Sequence, residues 1–341
     1  MKLVQQHIIK KSHPNFKEID NLCFLSKNLY NSGLYSVRQH FFETQKYVSG
    51  FTNINKFTKE NQKDFRSLPS NVSQQTLLMV DRNFKSFFKL LKLKQKDKYK
   101  EKINISNYLP KDGRYIVIYT NQYINKTELK NGIIKPYKSN IKIKTDKKNI
   151  KQVRIVPKNG YYVIEIIYEV NEKELLSNNE RYASIDLGIN NLVTLTSNIT
   201  TPLIINGKPL KSINQFYNKQ NAELSSKLEL KTKKKTSNKL KSLSLKRNNK
   251  VKDYLHKASH EVINHLVSNS INTLIIGYNK GWKQEVNIGR VNNQKFIGIP
   301  YLMFINMLKY KAKLVGITAI LHEESYTSKC KIGRASCRER V

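Results

Sequence analysis

Three short segments, "YASIDLG", "LVTLTS" and "TPLIING", follow one another between Tyr182 and Gly207, and their spacing constrains the fold more than any other feature. Each places apolar residues in alternation or in a brief run, as strands do. The connections are too short for a crossover, so the three strands must be antiparallel neighbours. A long helical region follows from about Lys211 to Asn269, then "NTLIIGY" as a strand. Another helix covers about Pro300 to Gly316, and "ITAILHEE" is a further strand.

Three meandering strands, helix, strand, helix, strand is the order of an α/β RNase H-like domain, with the fourth strand beside the first and the fifth beside the fourth. The N-terminal half reads differently. Residues 1–10 make a short strand, and Ile19, Leu22, Leu25, Leu29 and Tyr30 fall at helical spacing. A second helix begins after "LPS", with Ser70 as N-cap and Leu77, Val80, Phe84, Phe87, Phe88 and Leu91 on its apolar face. Then "RYIVIYT", "SNIKIKT", "KQVRIVP" and "YYVIEIIYEV" read as strands, the last two joined at Asn159-Gly160. This α+β half is expected to be one β-barrel domain split by a helical insertion. "NEKELLSNNE" reads as a linker.

Charge narrows the partner. Lys and Arg number 62 against 25 Asp and Glu, a net +37, and such an excess on a folded chain calls for a polyanion. Nucleic acid, met through its phosphates, fits best. Hydrophobic residues at 39% make the chain globular rather than disordered. No apolar run approaches the ~20 residues that span a bilayer, and the N-terminus lacks a signal-peptide core. Cys23, Cys330 and Cys337 make no disulfide framework, so a cytoplasmic protein is expected.

Against this background Asp186 stands out, a carboxylate at the end of an apolar strand that runs into Gly188. In nucleases of the RNase H-like fold a carboxylate at this place holds Mg²⁺ or Mn²⁺, hard ions that take oxygen ligands. A strand-end Asp also caps turns, and the local residues leave both readings open.

Four stretches occur in one order: "ASIDLGINNLVTLTSN", "LKRNNKVKDYLHKASHEVINHL", "TLIIGYNKGWKQEVNIGRVNNQKF" and "EESYTSKC". Together they resemble the TnpB family, transposon-encoded RuvC-like proteins of the IS200/IS605 group related to Cas12 nucleases. The resemblance implies a wedge-type β-barrel (1–10 and 100–172) around a helical recognition insertion (11–99). A linker (173–181) and a RuvC-like nuclease domain (182–331) would follow. It also implies a guide RNA that pairs with target DNA, and DNA cleavage assisted by Mg²⁺ or Mn²⁺. The implied heteroduplex contacts fall on Lys233, Lys234, Lys235, Lys239, Lys246, Arg247, Lys250 and Lys257, which would otherwise form a solvated charged helix. Trp282 reads as a packing anchor rather than a base-stacking platform.

One family acid is missing. The resemblance calls for a Glu at the end of the fourth RuvC strand, where this chain has Gly277. Some relatives have displaced that acid to the neighbouring strand, and Glu323 and Glu324 end the fifth strand here. Alternation lets only one face Asp186, and Glu324 is favoured. The implied catalytic set is thus Asp186 with Glu324 or Glu323, and the implied metal ligands are Asp186 and Glu324. The rival reading is a nuclease-dead, RNA-guided DNA-binding protein. A third, an unrelated RNA-binding protein, explains the charge but not the ordered motifs.

The end of the chain departs from its habits. Three of 11 arginines crowd into the last eight positions, and residues 332–341 read as translated sequencing adapter, so a natural chain cut near Lys331 is expected. The family's third acid and its four-Cys zinc ribbon have no counterpart here; Cys330 and Cys337 lack zinc-knuckle spacing. This chain is therefore expected to be an inactive fragment of a nuclease.

Overall fold

The structure, a computed structural model, describes residues 1–233, 235–279, 281–284, 287 and 289–324. It divides into two compact units, Met1–Val170 and Asn171–Val341.

In the first unit, strand β1 (Lys2–Ile9) leads into helices α1 (Phe16–Thr44), α2 (Gly50–Lys59), α3 (Lys63–Arg66) and α4 (Ser70–Gln95). There follow β2 (Val117–Thr120), helix α5 (Lys126–Lys130), the two-residue strands β3 (Ile133–Ile134) and β4 (Ile143–Lys144), then β5 (Ile150–Pro157) and β6 (Tyr162–Glu169). Helix α1 forms because Ile19, Leu22, Ser26, Leu29, Gly33 and Val37 recur at three- and four-residue intervals and are all buried. Of these, Ile19, Leu22 and Leu29 meet Leu77 of α4 and Tyr119, Ile155 and Ile164 of the sheet in one core. Asp20 anchors α1 laterally: Arg114 donates from Nε and a terminal nitrogen at 2.9 and 2.8 Å, and the Tyr162 hydroxyl donates at 2.5 Å.

The sheet is antiparallel in the order β1-β6-β5-β2. Among the described residues β1 and β2 are its edges and do not pair, so α1 and α4, rather than strand closure, cover its inner face. The β5–β6 hairpin turns at Asn159-Gly160 as expected. Ser70 does not cap α4. It is the first helical residue, after Pro69, which has no side chain to accept a bond. Helices α2 and α3 were not expected, being short and too polar to show a long period.

The second unit carries β7 (Tyr182–Asp186), β8 (Asn191–Ser197), β9 (Leu203–Asn206), α6 (Lys208–Thr232), α7 (Asn238–Ser268), β10 (Thr273–Gly277), α8 (Arg290–Ile297), α9 (Tyr301–Leu314) and β11 (Thr318–His322). Its sheet runs β11-β10-β7-β8-β9. β7, β8 and β9 are antiparallel, while β10 lies parallel to β7 and β11 parallel to β10. This is the strand order expected from the sequence. Ile185, Leu195, Leu274 and Ile276 meet Leu255 and Leu266 of α7 and Phe304 and Leu308 of α9 in one core.

The single helical region expected from Lys211 to Asn269 is two helices. Lys233 closes α6 in the left-handed conformation (φ 53°), and the Ser237 hydroxyl accepts from Leu240 N–H to start α7. The stretch read as a linker is strapped to the second unit. Leu176 N–H donates to Gly316 O at 2.9 Å, Asn179 Nδ2 donates to Ser270 O at 2.7 Å, and Lys313 pairs with Glu172 at 2.9 Å. No helix among the described residues is long and apolar enough to cross a membrane.

Candidate active site

Alternation along β7 buries Ala183 and Ile185 in the core and leaves Ser184 and Asp186 exposed on the other face. The parallel ladder with β10 pairs Ile185 with Ile276, so the next step brings Gly277 alongside Asp186. The ladder between β10 and β11 pairs Gly277 with His322. Pairing continues past the strand ends: Tyr278 N–H donates to His322 O at 2.9 Å, and Glu324 N–H to Asn279 Oδ1 at 2.8 Å. Two residues beyond His322, Glu324 returns to the face that carries Asp186.

The Glu324 side chain lies over Gly277. A Cβ at position 277 would stand 2.7 Å from Glu324 Cγ, and the carboxylate is closer still. That is inside any real Cβ contact, so the Glu324 side chain can occupy this place only because residue 277 has no side chain. Glu324 is half-buried. Burial first, and then the negative charge of Asp186, push its carboxyl pKa up, with His322 opposing. Glu323 is exposed.

Behind Asp186 the chain turns sharply. A side chain at Gly188 would sit 2.7 Å from Asn191 O. The Gly188 carbonyl accepts from the Tyr301 hydroxyl at 2.9 Å. Burial, and then the Asp186 charge, push the Tyr301 phenol pKa well up, so it stays a donor. Trp282 packs edge-on against Tyr278 at 5.7 Å and Phe296 at 5.3 Å, and tilted against Tyr301 at 5.2 Å, the anchor role read from its turn.

Two carboxylates are what the described residues bring together, and no group of three or more His, Cys, Asp or Glu able to hold a metal occurs among them. Two carboxylates still fit Mg²⁺, which is commonly held by one or two of them together with water and substrate phosphates. The accumulated negative charge at Glu324 favours a cation in the same place.

The helical hairpin sorts the basic residues. At 100° per residue, Lys239, Lys246, Lys250 and Lys257 share one exposed stripe of α7, about a third of a turn from the buried stripe of Leu240, Val251, Leu255 and Ala258. Lys257 also pairs with Asp253 at 2.8 Å. Lys233 and Lys235 are exposed in the connection between α6 and α7. Arg247 faces inward instead. Its guanidinium donates to Asn214 Oδ1 at 2.8 Å, Gly298 O at 2.6 Å and Asn248 Oδ1 at 2.9 Å, which spends it on holding α6 and α7 to the end of α8. Lys234, Cys330, Cys337 and the tail at 332–341 lie outside the described residues.

Sequence reading missed Tyr301 and Lys283. A tyrosine opening an amphipathic helix reads as core, and one lysine among 62 Lys and Arg carries no signal.

Residues 165–283 match the OrfB_IS605 family model, described as a probable transposase. The match takes in Asp186, Gly277 and Trp282 and stops before Glu324. Among solved structures, a Cas12f1–sgRNA–target DNA complex is similar with a TM-score of 0.56 and 13% identity, covering 94% of this chain and 76% of that one. A CRISPR–Cas12f ternary complex is similar at 12% identity over 89% of this chain and 71% of that one, with a TM-score of 0.34, too loose to inform the fold. No curated protein matches the chain. The resemblance read from the motifs is borne out by the family-model match and, for the fold, by the first of these structures.

Proposed function

We propose that this chain, a TnpB-type protein of the OrfB_IS605 transposase kind, belongs to an RNA-guided DNA endonuclease whose metal-binding carboxylates include Asp186 and Glu324. The observation that carries the reading is the Glu324 side chain in the space above Gly277, beside Asp186. A carboxylate missing from β10 is supplied from the end of β11, over the backbone position from which a Glu side chain on β10 would have started. The nuclease-dead alternative drew its support from Gly277 as an empty position, and the overlying Glu324 removes that support.

Asp186 and Glu324 would hold Mg²⁺ or Mn²⁺, which when bound supplies Lewis-acid stabilisation of the phosphodiester oxygens. The chain's own residues do the rest. Strands β7 and β11, on either side of β10, set the two carboxylates on one face, and the β7–β8 turn fixes Asp186 from behind. The stripe of Lys239, Lys246, Lys250 and Lys257 offers phosphate contacts for a guide RNA–target DNA duplex, with Lys233 and Lys235 extending it at the hairpin tip. Arg247 supports that surface from inside.

The test is Mn²⁺ binding by electron paramagnetic resonance, beside guide-directed cleavage. Asp186→Ala and Glu324→Ala should each remove most Mn²⁺ binding while guide RNA remains bound, and Glu323→Ala should change little. Mn²⁺ bound equally well with and without Asp186 would sink the reading.

A further inference from the structure

We propose that Tyr301 is a positioning residue for Asp186: its hydroxyl pins the turn after β7 and so sets where the Asp186 carboxylate stands. The inference rests on the reading of Asp186 as a metal ligand. The turn from Leu187 to Asn191 is held at both ends by different elements. Its far side is fastened by Gly207 N–H, which donates to Asn190 O at 2.7 Å, and by Lys211 Nζ, which donates to Asn190 Oδ1 at 2.8 Å. Its near side, two residues past Asp186, is held by the Tyr301 hydroxyl on Gly188 O at 2.9 Å.

Tyr301 is itself rigidly placed. It is the first residue of α9 and has no solvent exposure. Its ring lies against Trp282 and Phe296 at 5.2 and 5.3 Å. The Lys283 ammonium stands 5.0 Å from the ring centroid, and donates to Ile297 O at 3.3 Å and to Ile299 O. The ammonium is thus fixed over the ring by backbone carbonyls. A phenylalanine would fill the same apolar slot. What the hydroxyl adds is the bond to Gly188, and a buried hydroxyl without a partner would be costly. Partners that orient a metal ligand from behind commonly govern metal affinity as strongly as the geometry of the ligand itself.

The experiment uses the full chain with Tyr301→Phe, which keeps the ring and removes the bond. Hydrogen–deuterium exchange should rise about fivefold or more in the 187–191 turn while other peptides of the second unit stay unchanged, the size expected for one net hydrogen bond. Mn²⁺ should bind about tenfold more weakly, within the range for lost orienting partners. Unchanged exchange in the turn would overturn the proposal, as would a uniform rise across the unit, which would make Tyr301 a packing residue only. Should Tyr301→Phe unfold the unit, Lys283→Met, which keeps the apolar stem and removes the cation above the ring, must show the same local pattern at smaller size. Asp186→Ala is the control: if it leaves Mn²⁺ binding intact, the metal reading fails, and exchange in the turn still decides the role of Tyr301.

Discussion

Gly277→Ala is the smallest change that tests whether Glu324 has taken the place of a β10 acid. The added Cβ would lie 2.7 Å from Glu324 Cγ and nearer still to its carboxylate, whereas real Cβ contacts stay beyond about 3.0 Å. Position 277 is in a regular strand, so alanine suits the backbone and should gain about 0.5–1 kcal/mol over glycine in the ordered chain. Glu324 is attached just past the end of β11 and is the freer partner, so it moves. Its carboxylate must retreat by well over an ångström, and misplacement of even about 1 Å costs about 100-fold in a positioned reaction. Mn²⁺ affinity should fall about 10- to 100-fold, as for loss of a well-oriented partner, with no loss of thermal stability. The assay is Mn²⁺ titration by electron paramagnetic resonance in a double-mutant cycle. In a Glu324→Ala background the same Gly277→Ala change should do nothing further, because the side chain it displaces is gone. Wild-type affinity in Gly277→Ala, or a full loss that persists without Glu324, would refute the reasoning.

Two further outcomes follow from geometry and charge. If Lys239, Lys246, Lys250 and Lys257 each meet a phosphate, changing all four to Gln should lower the slope of log affinity against log salt for guide RNA by about 3; an unchanged slope would place the nucleic acid elsewhere. In the first unit, the Arg114 hydrogen bonds hold the Asp20 carboxyl below the usual carboxylate range, against an opposing effect of burial. A depressed folded-state pKa adds stability that is complete above the unfolded pKa and disappears as pH falls through the folded one. The urea midpoint should therefore drop below about pH 4. Asp20→Asn should flatten that drop, by about 1 kcal/mol at most because the pair is partly exposed. An equally steep acid loss in Asp20→Asn would assign it to other groups.

Much of this protein follows from local pattern. Alternation in "YASID" and "LVTLTS" and helical spacing in α1, α4 and α7 are properties of neighbouring residues, so element type and order were legible, and with them the β11-β10-β7-β8-β9 sheet. Asp186 was legible for the same reason, since a charge at the end of an apolar strand contradicts its surroundings. Short helices such as α2, α3 and α8 escaped because one to three turns carry too little period. The break at Lys233 escaped because a single left-handed residue and a serine cap leave no trace in hydrophobicity.

What only the tertiary structure decided are the relations between residues distant in sequence. Glu324 was a candidate from strand order. That its side chain lies over Gly277 depends on the parallel register of Gly277 with His322, a pairing across a long stretch of chain that local sequence does not encode. Arg247 sits in a run of lysines that predicts a solvated face, yet its turn of α7 meets Asn214 and the Gly298 carbonyl, and the planar fork is used inside. Tyr301 and Gly188, 113 positions apart, are joined because α9 packs under the sheet with its first residue against the β7–β8 turn. Local sequence sets which face of an element is apolar; which side chains meet across the core is set by packing all the elements at once, and the candidate site is made of such meetings.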